Sequence, residues 1–211
     1  RFLSLGCEKD SLNRALQRIK NAQKQGNRKM PRLWAKAKGI NDSIAVKTAT
    51  FIMDLAVYYS AHVIVMEKLD LKGRKHGSKK QRLHHWRAQY VQQMVQDKAH
   101  RNGQRVSRVC AWNTSKLAFD GSGAVTRDEK NHSLCTFPNG KRYHCDLSAS
   151  YNIGARYFVR EIFKSLSVTM GQRVAAKVPE CVKRSTCTLG SLFRLHAELG
   201  SAEHQLSECS P

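Results

Sequence analysis

The spacing of apolar and polar residues is most informative between positions 41 and 70. From Ile44 to Tyr59 the apolar residues recur every three or four positions, which predicts an amphipathic helix. Asn41 or Asp42 is placed to cap its amino terminus, because either side chain can accept a hydrogen bond from a free backbone amide. The sequence therefore predicts a helix with one buried face.

The periodicity changes after this helix. The run from His62 to Met66 is apolar and rich in β-branched residues, which predicts a strand buried on both faces of a sheet. Glu67 follows it directly. Open α/β sheets place their sites at the carboxyl ends of strands, so Glu67 is the first candidate for chemistry. The alternative is an ordinary solvated charge that ends the strand.

Hydrophobic periodicity and breaker residues divide the rest of the chain into strands, helices and connecting segments. Strands are predicted at 1–7 and 104–112, and helices at 8–25, 84–101 and 145–164. We expect a basic connector at 25–39, a mobile cationic loop at 68–87, a long irregular excursion at 113–144 and a loosely ordered extension at 166–211. The strands at 62–66 and 104–112 flank a helix, so they should be parallel neighbours with a right-handed crossover, as in an α/β fold.

The charge of the chain favours a polyanionic partner. Its 37 Lys and Arg residues exceed its 16 Asp and Glu residues, which gives a formal net charge of +21, far beyond what solubility needs. Nearly all of that excess, +20, lies in residues 1–165. Nucleic acid is the leading expectation, and an anionic membrane surface is the weaker one.

Two basic segments are candidates for phosphate contact. The connector interleaves Trp34 with its cations, which suits a nucleic acid, although basic runs are usually solvated faces. The loop after Glu67 would bring further cations beside a buried acid. The candidate contacts are Arg28, Lys29, Arg32, Lys72, Arg74, Lys75, Lys79 and Lys80.

The sequence also indicates the cellular compartment of the protein. No apolar stretch approaches the ~20 residues of a membrane-spanning helix, and the first residues lack the pattern of a secretory signal. The 7 cysteines, scattered and odd in number, argue against a disulfide framework. We expect a soluble, cytoplasmic protein with reduced thiols and no membrane partner. Because Arg1 lies inside a predicted strand, we also expect the chain to be a fragment.

Asp146 is the second candidate acid, at the start of the helix at 145–164. Capping that helix is its ordinary structural role. Together with Glu67 it offers the oxygen ligands that Mg²⁺ prefers, and a pair of such ions can activate water and stabilise the leaving oxygen of a phosphodiester. Two acids alone are a weak signal, because such a site commonly uses a third carboxylate. The third ligand would have to come from upstream of this chain.

Four motifs, taken in order, connect these features to a known family. They are N-D-S-I-A-V-K-T-A at 41–49, V-I-V-M-E-K-L-D at 63–70, A-W-N-T-S-K-L-A-F-D-G-S-G at 111–123 and C-D-L-S-A-S-Y-N-I-G-A-R at 145–156. As a set they resemble the carboxyl-terminal part of the transposon-encoded TnpB nucleases and their TnpB-related relatives, which are similar to the type V CRISPR effectors. The resemblance covers residues 1–165.

The resemblance implies an RNA-guided DNA endonuclease that depends on Mg²⁺ or Mn²⁺. It implies a partial RuvC-like domain of the RNase H fold, in which a mixed sheet is flanked by helices. Glu67 and Asp146 match catalytic acids of the family, and the first acid of the family lies before residue 1. This fragment alone should therefore be inactive. Ser148 and Ser150 depart from the family's D-x-N-A-A-x-N-I motif.

Four further residues stand in or beside these motifs. We expect them to touch the DNA backbone or to orient the site, although packing and surface solvation explain them nearly as well. They are Ser115, Lys116, Asn152 and Arg156.

The family commonly carries a zinc ribbon with two C-x-x-C pairs between its last two motifs. At the first pair this chain reads Leu-Ala-Phe-Asp-Gly at 117–121, and only Cys135 and Cys145 remain nearby. That spacing does not fit four-thiolate zinc. We therefore expect residues 113–145 to be a degenerate ribbon-like insertion without zinc, with Cys110, His132 or His144 as the only further candidate ligands.

Two alternatives remain open. A nucleic-acid-binding accessory protein of the transposon could keep the fold and charge while cutting nothing. A DNA resolvase or recombinase subunit could use the same acids without RNA. An Asp in the strand upstream would favour the nuclease over the binding protein, and activity on branched DNA after RNase treatment would favour the resolvase.

Overall fold

A computed structural model describes residues 5–69 and 79–208, with side chains at 5–69 and 87–201. The helices are α1 (Gly6–Lys24), α2 (Pro31–Tyr58), α3 (Lys79–Arg101), α4 (Cys145–Ser165), α5 (Val168–Lys177) and α6 (Leu189–Glu208). The strands are β1 (Val63–Lys68), β2 (Arg105–Cys110), β3 (Thr126–Arg127), β4 (Leu134–Thr136) and β5 (Arg142–His144). The α/β class is thus confirmed. Across the described ranges, every helix is too short or too polar to span a bilayer.

The chain forms two compact units. The first comprises Arg1–Ile64 and Leu69–Val106, and the second comprises Val65–Lys68 and Ser107–Pro211. The sequence predicted one domain at 1–165 followed by an extension, but the second unit continues through that boundary. Glu67 and Asp146 both belong to the second unit.

The first unit is built on three helices. α1 packs on α2, and α2 packs on α3. Leu12 and Ile19 of α1 are buried with Ile44 of α2, as their helical spacing requires. The ion pair between Lys47 and Glu8 joins the same two helices at the surface. The helix predicted at 8–25 is confirmed. Its first turn takes in part of the strand predicted at 1–7, of which residues 1–4 lie outside the described residues.

The prediction of a capped helix after a basic connector was wrong at its start. α2 begins at Pro31, ten residues before the expected cap, because proline is well suited to the first helical turn, where its missing amide costs nothing. Asn41 is fully buried within the helix rather than capping it. Trp34 packs against the buried residues of α1 and α2, so it does not lie free among the cations of the connector.

The predicted strand–helix–strand unit is confirmed. β1 and β2 are hydrogen-bonded neighbours and run parallel, with α3 between them in sequence. In the first unit the amide of Arg105 donates to the carbonyl of His62 at 2.9 Å, and Gln104 Nε2 donates to the carbonyl of Ala61 at 2.8 Å. The residues of β1 up to Glu67 are half-buried, so the expectation of burial on both faces was too strong.

The segment predicted as a loosely ordered extension is helical. α5 begins with a cap in which Ser167 Oγ accepts from the amide of Met170 at 3.3 Å. Thr188 and Ser191 form a reciprocal cap at the start of α6, each side-chain oxygen accepting from the other residue's amide at 3.3 Å. Buried side chains from α4, α5, α6 and the segment between α5 and α6 form one apolar core: Val159, Val174, Val178, Cys181, Cys187 and Leu195.

The excursion predicted as irregular also has regular structure. β3, β4 and β5 form a three-stranded antiparallel sheet in which Cys135 pairs with Arg127 on one side and with Tyr143 on the other. Its strands have only two or three residues each, too few for an alternating pattern to be recognised in sequence.

The first turn of α6 lies directly against the insertion at 113–145, which is called the ribbon below. The amide of Gly190 donates to the carbonyl of Phe119 at 2.7 Å. A Cβ atom on Gly190 would lie 2.6 Å from the carbonyl carbon of Asp120, closer than any side chain can approach a backbone. The absence of a side chain at position 190 is therefore what lets the two segments meet.

We expect Gly190→Ala to lower the free energy of unfolding by about 1–3 kcal/mol, the usual cost of overpacking, because the backbone of one segment must move. Urea unfolding measures the change. Gly200→Ala is the matched control: Gly200 is also in α6, and a Cβ atom added there would have no neighbouring atom within 4 Å, so alanine should be neutral or slightly stabilising. Equal midpoints for Gly190→Ala and wild type would contradict the close approach.

Candidate carboxylate site

Glu67 is held by a threonine from another segment of the second unit. It is half-buried, one residue before the end of β1. The hydroxyl of Thr114 donates to Glu67 Oε1 at 2.5 Å, and the same hydroxyl lies 3.0 Å from the carbonyl of Ala111. A hydroxyl has one proton, and the charged carboxylate is the stronger acceptor. Thr114 therefore fixes the orientation of the Glu67 carboxylate.

Thr114 is itself positioned by Asn152 of α4. Asn152 is fully buried. Its Nδ2 donates to the carbonyls of Thr114 and Leu117 at 3.0 and 2.9 Å, and its Oδ1 accepts from the amide of Leu189 at 3.3 Å. One amide side chain thus satisfies three backbone groups, one of them at the start of α6. Any shift of α4 relative to this segment would leave buried polar groups without partners.

Arg156 lies one turn further along α4, on the same face as Asn152. It is 5% exposed. Its Nη1 donates to the carbonyls of Cys110 and Trp112 at 2.6 and 2.8 Å, its Nη2 to that of Ser185 at 3.0 Å, and its Nε to that of Cys187 at 3.2 Å. The guanidinium therefore joins the end of β2 to the segment that precedes α6.

The charge of Arg156 also acts on Glu67. Burial lowers the pKa of Arg156, and the nearby Cys110, Cys187 and Glu67 raise it in turn. An arginine remains protonated at neutral pH even when buried. Its positive charge therefore lies close enough to Glu67 for the two groups to interact electrostatically.

Asp146 occupies the first turn of α4 and is exposed. The sequence predicted it at the cap. The cap is instead His144, whose Nδ1 accepts from the amide of Asp146 at 3.3 Å. The carboxylate of Asp146 is thus not used in capping. Exposed at a helix amino terminus, it is chemically suited to hold a cation such as Mg²⁺.

Among the side chains described at 5–69 and 87–201, no three of His, Cys, Asp or Glu group so as to hold a metal ion. Glu67 and Asp146 are each suited to Mg²⁺ by their oxygen ligands. The structure links them indirectly: Glu67 contacts Thr114, Thr114 is held by Asn152, and Asn152 shares α4 with Asp146.

The insertion at 113–145 is held together by side chains of the segment at 117–121. Ala118 is buried with Phe137, Cys135 and Cys145. Asp120 accepts from the amide and hydroxyl of Ser122 at 2.9 and 2.7 Å through Oδ1, and from Asn139 Nδ2 at 2.9 Å through Oδ2. A hydrogen bond and an apolar cluster thus join the turn that contains Asp120 to the turn that contains Asn139.

The two cysteines of the ribbon behave as core residues. Cys135 and Cys145 are both buried. Burial raises the pKa of Cys135 to about 11, and a hydrogen bond with Cys145 contributes in the same direction. Zinc binds thiolates rather than thiols, so zinc binding here would require Cys135 to lose its proton. His144, the nearest candidate helper, is engaged at the start of α4.

The predicted phosphate contacts fall into three groups. Arg28, Lys29, Arg32 and Lys116 are exposed. Lys72, Arg74 and Lys75 lie outside the described residues, as do the side chains of Lys79 and Lys80 at the start of α3. Arg156 differs from the expectation of DNA contact: its buried guanidinium is directed at backbone carbonyls and orients the site instead.

Thr114 is the contributor that sequence reasoning did not single out. It lay inside a recognised motif, but nothing in its spacing predicted contact with Glu67, 47 positions away. Asn152 and Arg156 carried a usable signal, since two polar residues four positions apart on an apolar helix indicate a buried polar role.

The chain matches no known protein-family profile, and no curated protein is significantly similar to it in sequence.

We expect Arg156→Lys to lower the free energy of unfolding by about 2–5 kcal/mol, because lysine cannot reach all four carbonyls and each buried carbonyl left unpaired costs about 1–3 kcal/mol. Urea unfolding measures this. Arg160→Lys is the control on the same helix: Arg160 is half-exposed and binds Ser107 Oγ and the carbonyl of Arg108, so its loss should cost at most about 1 kcal/mol. Similar losses of unfolding free energy in both variants would contradict the inference that the four carbonyl contacts of Arg156 stabilise the fold.

We also expect the ribbon to lose stability in acid through Asp120. Burial alone raises the pKa of Asp120, but the hydrogen bonds from Ser122 and Asn139 and the charge of Lys141 lower it, and the net shift is downward. The stabilisation is therefore complete above the unfolded pKa of about 3.9 and is lost as pH falls through the lower folded pKa.

Asp120→Asn should thus be less stable than wild type at pH 7, with the difference shrinking below about pH 4. Thermal unfolding from pH 7 down to pH 2.5 measures the difference. A gap of the same size at both ends of this range would show that the charge of Asp120 is not what stabilises the ribbon.

Proposed function

We propose that the chain is the carboxyl-terminal part of an RNA-guided, Mg²⁺-dependent DNA endonuclease with a RuvC-like carboxylate site. The observation that carries the proposal is the fixed carboxylate of Glu67. It lies one residue before the end of a parallel strand, is oriented by Thr114 and interacts with the charge of Arg156. A strand-end carboxylate held in this way, in a chain of net charge +21, suits chemistry on a phosphodiester.

The architecture of the second unit supports an RNase H-like arrangement. Its carboxylate strand is paired in parallel with β2, and α4 contributes the second acid from its first turn. α4 also holds the segment that follows β2, through Asn152 and Arg156. α4 therefore carries Asp146 itself and is linked to Glu67 through Asn152 and Thr114.

In the proposed site Glu67 and Asp146 would supply oxygen ligands to Mg²⁺. The ion would activate water and stabilise the leaving oxygen of the phosphodiester. The hydroxyl of Thr114 keeps the Glu67 carboxylate fixed, so that it need not reorganise when the substrate binds. Following the family pattern, a further acid would come from a strand upstream of residue 1.

The proposed division of labour assigns sequence selection to the guide RNA and backbone contact to the protein. Exposed cations at Arg28, Lys29, Arg32 and Lys116 are suited to phosphate contact, which carries no sequence information of its own. A catalytically inactive transposon accessory protein that binds nucleic acid is the alternative function. It would need the cations but not an oriented carboxylate.

The test compares DNA cleavage in Mg²⁺ by the full-length parent protein, purified with the RNA that accompanies it, and by its Glu67→Gln variant. The substitution keeps the volume of the side chain and removes the ligand charge. We expect cleavage to fall by at least about 100-fold while DNA binding is retained. Glu129→Gln is the matched control: Glu129 is an exposed glutamate of the ribbon, and its loss should leave the rate unchanged.

Three results would overturn the proposal. Equal cleavage by wild type and Glu67→Gln would remove Glu67 from the chemistry. Absence of cleavage by the wild type, with DNA binding intact, would favour the inactive binding protein. Cleavage of branched DNA that survives RNase treatment would replace the RNA-guided nuclease with a resolvase.

A further inference from the structure

Trp112 is the feature that neither the core nor the carboxylate site explains. Its side chain is 69% exposed, although tryptophan gains more than most residues from burial. It comes two residues after the end of β2 and two residues before Thr114, which contacts Glu67. A large aromatic side chain is therefore presented to solvent two residues from the threonine that contacts the candidate catalytic acid.

The backbone that presents Trp112 is fixed on both sides. The carbonyls of Cys110 and Trp112 both accept from Arg156. Asn113 has a φ of 62°, in the left-handed region that asparagine tolerates better than most residues. Thr114 then closes the turn through Ala111 and Glu67. The orientation of this turn is thus set by the same contacts that orient the carboxylate.

The same segment also presents a cation. Lys116 is exposed, and its backbone is fixed, with its amide donating to the carbonyl of Asn113 at 3.1 Å and its carbonyl accepting from Val125 at 2.9 Å. An aromatic surface and a cation on one rigid segment are the two features that single-stranded nucleic acid requires, one for a base and one for its phosphate.

We propose that Trp112 is a stacking platform for an unpaired base of the DNA strand that enters the Glu67 site. A base paired within a duplex cannot offer its face to a side chain, so the partner is a single strand. A protein partner is less suited, because the neighbours Asn113, Ser115 and Lys116 are polar, whereas protein interfaces surround an aromatic anchor with apolar area. The inference rests on the proposed function in taking the substrate to be DNA.

The test measures equilibrium binding of a fluorescent oligothymidylate and of a duplex of equal length, in EDTA so that no cleavage occurs. Trp112→Ala should weaken binding of the single strand by about tenfold and leave duplex binding nearly unchanged. Trp112→Phe should restore most of the affinity, since its ring can still stack. The salt dependence of binding should not change, because no charge is removed.

Phe193→Ala is the matched control, since Phe193 is 65% exposed on α6 of the same unit and its loss should not affect binding. Trp112→Ala with unchanged affinity, or with equal losses for single strand and duplex, would overturn the stacking role. An equal loss of single-strand affinity in Phe193→Ala would also overturn the stacking role. Because binding is read without metal, a failed cleavage test would overturn the nuclease and leave the platform standing, and the reverse result would overturn the platform alone.

Discussion

A single buried guanidinium connects the parts of the second unit that matter for the proposed chemistry. Arg156 binds four backbone carbonyls, one at the end of β2, one two residues later and two in the segment before α6. Removing such a charge from water is expensive unless its donors are satisfied. The four carbonyls must therefore stay where they are, and this fixes the turn that carries Trp112 and Thr114.

The carboxylate site is accordingly organised by α4 more than by the sheet. Asn152 and Arg156 project from one face of that helix into the backbone of the segment after β2. Asp146 lies at its amino terminus, and Val159 packs in the apolar core with α5 and α6. One helix therefore positions the second acid, the turn after β2 and the start of α6 together.

Sequence reasoning succeeded where a single element carries its own pattern. α1, β1, α3, β2 and α4 were predicted because each shows a helical or strand period over enough residues. The start of α2 was missed because residues 25–39 were interpreted as a connector, although Pro31 is well suited to a first helical position. The strands of the ribbon were missed because they are too short to show a hydrophobic period. Their turns are held by hydrogen bonds of Asp120, which no periodic pattern encodes. The contacts of Arg156 join positions 29 to 46 residues apart, and no local pattern encodes them.

The carbonyls of Ser185 and Cys187 have a consequence for where the functional unit ends. The last recognisable motif stops at Arg156, yet two of the groups that satisfy its guanidinium come from a segment about thirty residues later. A protein shortened after α4 would keep every motif residue while leaving donors of a buried cation unmatched. The structural unit around Arg156 therefore extends at least to Cys187, beyond the boundary that the motifs alone would indicate.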